Sequence, residues 1–184
     1  MTAASYAEVS AGLDAQVASG KLKPDPDQIE IARRLDRLAE ELVRSETSGS
    51  GWGARLFGKK PAEPPRGVYL WGGVGRGKSM LMDLFFEDVP MEKKRRVHFH
   101  EFMLEVQERL HRRREQLAAK GAPPEADTIV PIGREIAAGA RLLCFDEFQV
   151  TNIADAMILA RLFETLFDEG VTVVATSNRP DRKS

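Results

Sequence analysis

A parallel α/β sheet with helices on both faces is the fold the sequence predicts, on three observations. Short runs at Val68–Trp71, Arg141–Asp146 and Val171–Thr176 are apolar almost throughout, without the alternation of a sheet that keeps one face wet. Between them lie longer segments whose apolar residues recur every three to four positions, the period of an amphipathic helix. One strand-to-helix junction is a glycine-dense turn, residues 72–79, reading Gly-Gly-Val-Gly-Arg-Gly-Lys-Ser. Strands that alternate with helices and are apolar on both sides form parallel sheets covered on both faces, and ligands bind at the carboxyl ends of such strands.

The chain has 184 residues, 42% apolar and 30% charged, with a formal net charge of −1. That length allows one substantial domain and little more. The balanced charge supplies no basic field for nucleic acid. Cys144 is the only cysteine, which excludes an internal disulfide and suits a reducing compartment. No stretch approaches the roughly 20 apolar residues of a membrane span. Met1–Gly20 lacks Lys and Arg, unlike secretory or transit peptides. A cytoplasmic protein is the expectation.

In chain order, Tyr6, Val9, Leu13 and Val17 have helical spacing, read equally as a docked helix or a loose arm. Pro24-Asp25-Pro26-Asp27 breaks the chain and offers Asp27 as a helix cap. From Gln28 to Arg44, Ile31, Leu35, Leu38 and Leu42 form one stripe opposite Arg33, Arg34, Arg37, Glu40 and Glu41, the pattern of a helix docked on a core. Residues 1–44 are read as an N-terminal helical segment, 45–66 as a linker and 67–184 as the core. Trp52, Leu56 and Phe57 in the linker are expected to clip back onto the domain.

The glycine turn should open a helix from Gly77 to about Glu87. Glu92–Arg96 are read as a charged connection to a short strand, Val97–Phe99. A long helix should follow from Glu101 to Lys120, then a short one within Thr128–Gly139. The strand Arg141–Asp146 leads to a helix capped by Thr151 or Asn152. Val171–Thr176 is the last strand and ends at Ser177-Asn178.

Gly72 followed by Gly77-Lys78-Ser79 fits the phosphate-loop pattern in its required strand–turn–helix setting. Gly72, Gly73, Val74, Gly75, Arg76 and Gly77 let successive backbone N–H groups converge on an anion at the positive end of the next helix. Lys78 would reach the β- and γ-phosphates, and the Ser79 hydroxyl would ligate Mg²⁺. Asp146 ends an apolar strand, where a carboxylate holds Mg²⁺ directly or through water. Glu147, one residue further, would polarise a water for in-line attack. Asn178 would orient that water or touch the γ-phosphate. No Asn-Lys-x-Asp motif occurs, so ATP rather than GTP is the expected nucleotide. His98 and His100 are read as polar residues near the site rather than metal ligands, and the basic runs Lys93–Arg96 and Arg112–Arg114 as solvated faces.

With these residues placed, the chain resembles the ZapE-type cell-division ATPases and their mitochondrial relatives, a branch of the AAA+ P-loop proteins. The resemblance rests on Gly67–Phe86, Arg96–Met103, Leu143–Thr151, Ile153–Leu159 and Ala175–Pro180; the N-terminal third matches loosely. It implies Walker A roles for Lys78 and Ser79, Walker B roles for Asp146 and Glu147, and a sensor 1 role for Asn178. It also implies ATP turnover coupled to remodelling of a protein partner, the division-ring protein FtsZ, in the cytoplasm at the division site. Asn152 stands where the family is expected to carry Asp. Family members continue past Asn178-Arg179-Pro180, so the resemblance places the last core strand, arginine finger, sensor 2 and lid outside this chain. The phosphate-loop strand is then expected to be an exposed apolar edge. Two alternatives stay open: an ATP-binding scaffold that does not hydrolyse, and a helicase-loader-like module acting on DNA.

Overall fold

Four parallel strands form the centre of the computed structural model, which describes residues 8–47, 64–72, 77–123, 127–150 and 152–178. They are β1 (Val68–Gly72), β2 (Lys94–His98), β3 (Leu142–Asp146) and β4 (Thr172–Asn178), in the spatial order β1-β4-β3-β2. The helices are α1 (Val9–Ala18), α2 (Pro26–Thr47), α3 (Lys78–Asp88), α4 (Phe99–Ala119), α5 (Ile129–Gly139) and α6 (Ile153–Asp168). The linker residues Trp52, Leu56 and Phe57 lie outside the described residues, as do Tyr6, Thr151 and residues 179–184.

Strand side chains alternate between faces, and this sorts the core into two layers. Leu142 and Cys144 of β3 and Val174 of β4 join α1, α2 and α3 on one face. Leu143, Phe145 and Ala175 join α4, α5 and α6 on the other. Both β3 and β4 are interior strands of the sheet, which is why their sequences run apolar without a break. Burial of a side chain such as Phe145 contributes about 2–3 kcal/mol. Cys144 is fully enclosed, and burial pushes its thiol up to about 12.

The N-terminal helices belong to this core. Val9 and Leu13 of α1 and Leu35, Leu38 and Leu42 of α2 are buried with Leu81, Met82 and Phe85 of α3, so the helix reading is met and the loose arm is not. Ile31 is only partly buried. The cap of α2 is Asp25, not Asp27: its side chain accepts from the Asp27 N–H at 3.0 Å, and its carbonyl accepts the Ile29 N–H. Pro26 then takes the first helical position, where its missing N–H costs nothing. Of the two residues read as caps of α6, Asn152 caps it, its Oδ1 accepting from the Ala154 N–H at 2.9 Å.

The expected short strand Val97–Phe99 is displaced. β2 begins at Lys94 and ends at His98, and Phe99 opens α4. Three cations fit in this strand because each has a fixed partner beyond it. Lys94 donates to the carbonyls of Glu87 and Val89 at the end of α3, Arg95 pairs with Glu105 of α4, and Arg96 reaches Asp83 and Asp146. Among the described residues β2 and β1 are the sheet edges. On β1, Tyr69 and Trp71 are each 56% exposed.

Candidate functional site

The strand ends line up along one rim. Register pairs Gly72 with Asn178 and His98 with Asp146, while Phe145 pairs with Ala175. The same alternation that sorts the core points Asp146, Thr176 and Asn178 to the face covered by α3, the helix that follows the phosphate-loop segment. The rim thus carries Gly72, Asn178 and Asp146 at the ends of the neighbouring strands β1, β4 and β3, with Glu147 one residue beyond β3 and Gly77, Lys78 and Ser79 at the start of α3. Gly73, Val74, Gly75 and Arg76 lie outside the described residues.

Gly77 has a left-handed backbone, φ +72°, which glycine adopts without the steric penalty of a Cβ. A Cβ there would also stand 2.9 Å from the Gln28 Nε2 of α2, so the end of that side chain would have to shift. Lys78 follows, 7% exposed, with its Nζ donating to the Gly72 carbonyl at 3.0 Å. The lysine side chain thus reaches back from the start of α3 to the end of β1. Ser79 is exposed on the first turn of α3.

Glu147 is the one non-glycine among the described residues with a positive φ, +55°. Such a conformation costs an L-residue roughly 1–2 kcal/mol, so neighbours must impose it. The Glu147 N–H donates to Thr176 Oγ1 at 3.3 Å, and the Phe148 N–H to the Thr176 carbonyl at 2.7 Å. The Phe148 ring packs on Phe99 at 4.2 Å between centroids and edge-on to Tyr69 at 6.1 Å. With Phe148 anchored, Glu147 is turned outward and exposed. Strain of this kind, held by its surroundings, is a mark of functional sites. Thr176 was not singled out from the sequence, because a threonine in an apolar strand reads as an ordinary β-former.

Asp146 is held by a cation. Arg96 donates through Nε to Oδ2 at 2.7 Å and through Nη2 to Oδ1 at 3.2 Å, while its Nη1 pairs with Asp83 of α3. Burial works against the guanidinium charge, but the bonds to Asp146 and Asp83 outweigh it and hold the group above its ordinary range. The reading of Lys93–Arg96 as a solvated run misses this residue. Its parity in β2, the same as that of His98, is the signal that could have found it, once the start of the strand is known.

A glycine-dense sequence between β1 and α3, a lysine bonded back to the end of β1 and an acidic strand end on one rim of a parallel sheet define a P-loop α/β fold. Solved structures share the fold: AMPPCP-bound DnaA from Aquifex aeolicus at TM-score 0.50 and 15% identity, over 89% of this chain and 42% of that one, and DnaI at TM-score 0.52 and 15% identity, over 88% and 71%. The chain belongs to the AFG1-like ATPase family, whose model matches residues 9–183. Cell division protein ZapE of Escherichia coli K12 is 44% identical over 170 residues, 88% of this chain and 43% of ZapE. Lactation elevated protein 1 homolog B of Danio rerio is 55% identical over 119 residues, 64% of this chain and 24% of that protein. The chain therefore spans less than half the length of these relatives. Among the described residues no helix is long and apolar enough to cross a membrane.

Proposed function

We propose that this chain binds ATP with Mg²⁺ along the strand-end rim and hydrolyses it, with Glu147 as the residue that polarises the attacking water. The strained, anchored turn at Glu147 carries this reading. A surface glutamate with no task needs no left-handed backbone, and glycine at that position would avoid the penalty. Phosphate-loop residues 72–79 cradle the phosphates, and Lys78, already folded over Gly72, moves onto the β- and γ-oxygens. Asn178, level with Gly72 across the β1–β4 pair, orients the water or the γ-phosphate.

The residues fit a divalent cation. Asp146 already accepts a cation on both its oxygens, and Ser79 presents an exposed hydroxyl on the helix its face meets. Bound there, Mg²⁺ would supply charge neutralisation at the β- and γ-phosphates. Ser79 and Asp146 would hold it.

Likeness to ZapE favours coupling of turnover to a protein partner in cell division, with FtsZ as the partner to test, over a DNA-directed role. The net charge of −1 and the internal pairing of Lys94, Arg95 and Arg96 leave little basic surface there for a phosphate backbone. A soluble cytoplasmic setting and an oligomeric state belong to the same proposal, as does the division of the chain into 1–44, 45–66 and 67–184.

Phosphate release by the purified chain, compared with Glu147→Gln, is the deciding measurement. A general base supplies typically 10²–10⁴-fold, so the substitution should slow release by about 100-fold or more while leaving ATP binding within a few-fold. Equal, slow release by both proteins would sink the hydrolytic role and leave the ATP-binding scaffold.

A further inference from the structure

Arg96 lies outside the phosphate-loop and acidic motifs, yet it takes both oxygens of the carboxylate assigned to the metal. The sheet dictates the meeting. Arg96 pairs in register with Cys144, and Asp146 is two residues along β3, so both side chains leave the sheet on the α3 face. Arg96 is 22% exposed at its side chain and Asp146 13%, so water screens the pair only partly. Nη1 turns the other way, to Asp83, whose side chain is 53% exposed and sits one helical turn beyond Ser79. One guanidinium thus spans the carboxylate at the strand end and the helix that carries Ser79.

We propose that Arg96 is a positioning residue that competes with the divalent cation for Asp146, shared between Asp146 and Asp83 so that metal binding draws Asp146 away from it. This rests on the proposed metal role of Asp146. A guanidinium and a divalent cation on one carboxylate repel each other. The carboxylate also has only so many lone pairs, and the side-on fork occupies one on each oxygen. Arg96 therefore raises the Mg²⁺ concentration at which the nucleotide site fills, and Asp83 gives the displaced guanidinium a partner it already holds. The consequence is a site that stays closed by an internal ion pair until nucleotide and metal arrive together.

The test is a MgCl₂ titration of the 184-residue chain at a fixed saturating concentration of a non-hydrolysable ATP analogue, reading the melting temperature. Arg96→Gln should lower the Mg²⁺ midpoint by about fivefold or more, because it removes the competing charge. Arg96→Lys, which keeps the charge, should stay within about twofold of the unsubstituted chain. A role confined to stability would lower the melting temperature equally at every Mg²⁺ concentration and leave the midpoint in place. An unchanged or raised midpoint in Arg96→Gln overturns the proposal. Where Arg96→Gln does not fold, Asp83→Asn decides: with Arg96 no longer shared, the midpoint should rise, and an unchanged or lower one overturns the proposal. Asp146→Asn separates the two layers of inference. If it leaves the Mg²⁺ midpoint unchanged, Asp146 is not the metal carboxylate, and the site reading fails together with what rests on it. If it abolishes the Mg²⁺ response while Arg96→Gln lowers the midpoint, both stand.

Discussion

At Glu147 a backbone cost coincides with the task proposed for its side chain. Its φ of +55° is unfavourable for any residue with a Cβ, while glycine pays only its larger loss of chain entropy on folding. Glu147→Gly should therefore stabilise the fold by about 0.5–1 kcal/mol and at the same time remove ATP hydrolysis. Urea denaturation gives the first quantity and phosphate release the second. A variant that is less stable than the parent would show that the Glu147 side chain itself stabilises the turn, and that the strain is not stored for function. The sequence shows that Glu147 follows the acid that ends an apolar strand, but not its backbone conformation. That conformation comes from Thr176 and the ring of Phe148, residues distant in the chain or unremarkable in type.

At the scale of the element, helices α1 and α2 are joined through Asp36. Its carboxylate accepts from the Val9 N–H at 2.6 Å and the Ser10 N–H at 3.2 Å, so a residue of α2 supplies the cap that α1's own Glu8 does not form. Charged acceptors at helix N-termini satisfy donors that have no intrahelical partner. Asp36→Ala should cost about 1–2 kcal/mol, seen as a lower urea midpoint, whereas Glu40→Ala on the exposed face should cost little. Equal losses for the two would mean that the capping bonds contribute nothing net. The apolar stripe of α2 was legible because Leu35, Leu38 and Leu42 keep helical period and one face. A cap that comes from another helix is not, since it depends on how two helices meet. Strand β2 was misplaced for a related reason. Lys94, Arg95 and Arg96 look like a loop by composition, and only their tertiary partners Glu105, Asp83, Asp146 and the end of α3 make a strand of them. In β3 and β4, buried on both faces, composition and position agreed to within two residues.

Across the whole molecule, Gly77 and α3 are flanked by the N-terminal helices rather than by the far layer. Gln28 of α2 lies against Gly77, and Gly12 of α1 leaves room for Leu84 of α3, where a Cβ would stand 3.0 Å from Cδ2. Leu81, Met82 and Phe85 of α3 share their core with Val9, Leu13, Leu35 and Leu70, while α5 packs in the opposite layer with α6. A ligand that binds only the folded state stabilises it by mass action, about 2.7 kcal/mol at 100 times its dissociation constant, and the local share of that gain follows the packing that must open to release it. Addition of Mg²⁺ and a non-hydrolysable ATP analogue should therefore slow backbone hydrogen exchange most in α3, α1 and the first turns of α2, and least in α5. Lys78→Ala should abolish the effect, because it removes the charge proposed to meet the phosphates. Protection gained evenly by α2 and α5, or gained equally in Lys78→Ala, would show that nucleotide acts elsewhere than on this loop. The geometry argues against that outcome, since Asp146 and Asn178 leave the sheet on the α3 face, α1 packs on α3, and α2 meets both α3 and Gly77.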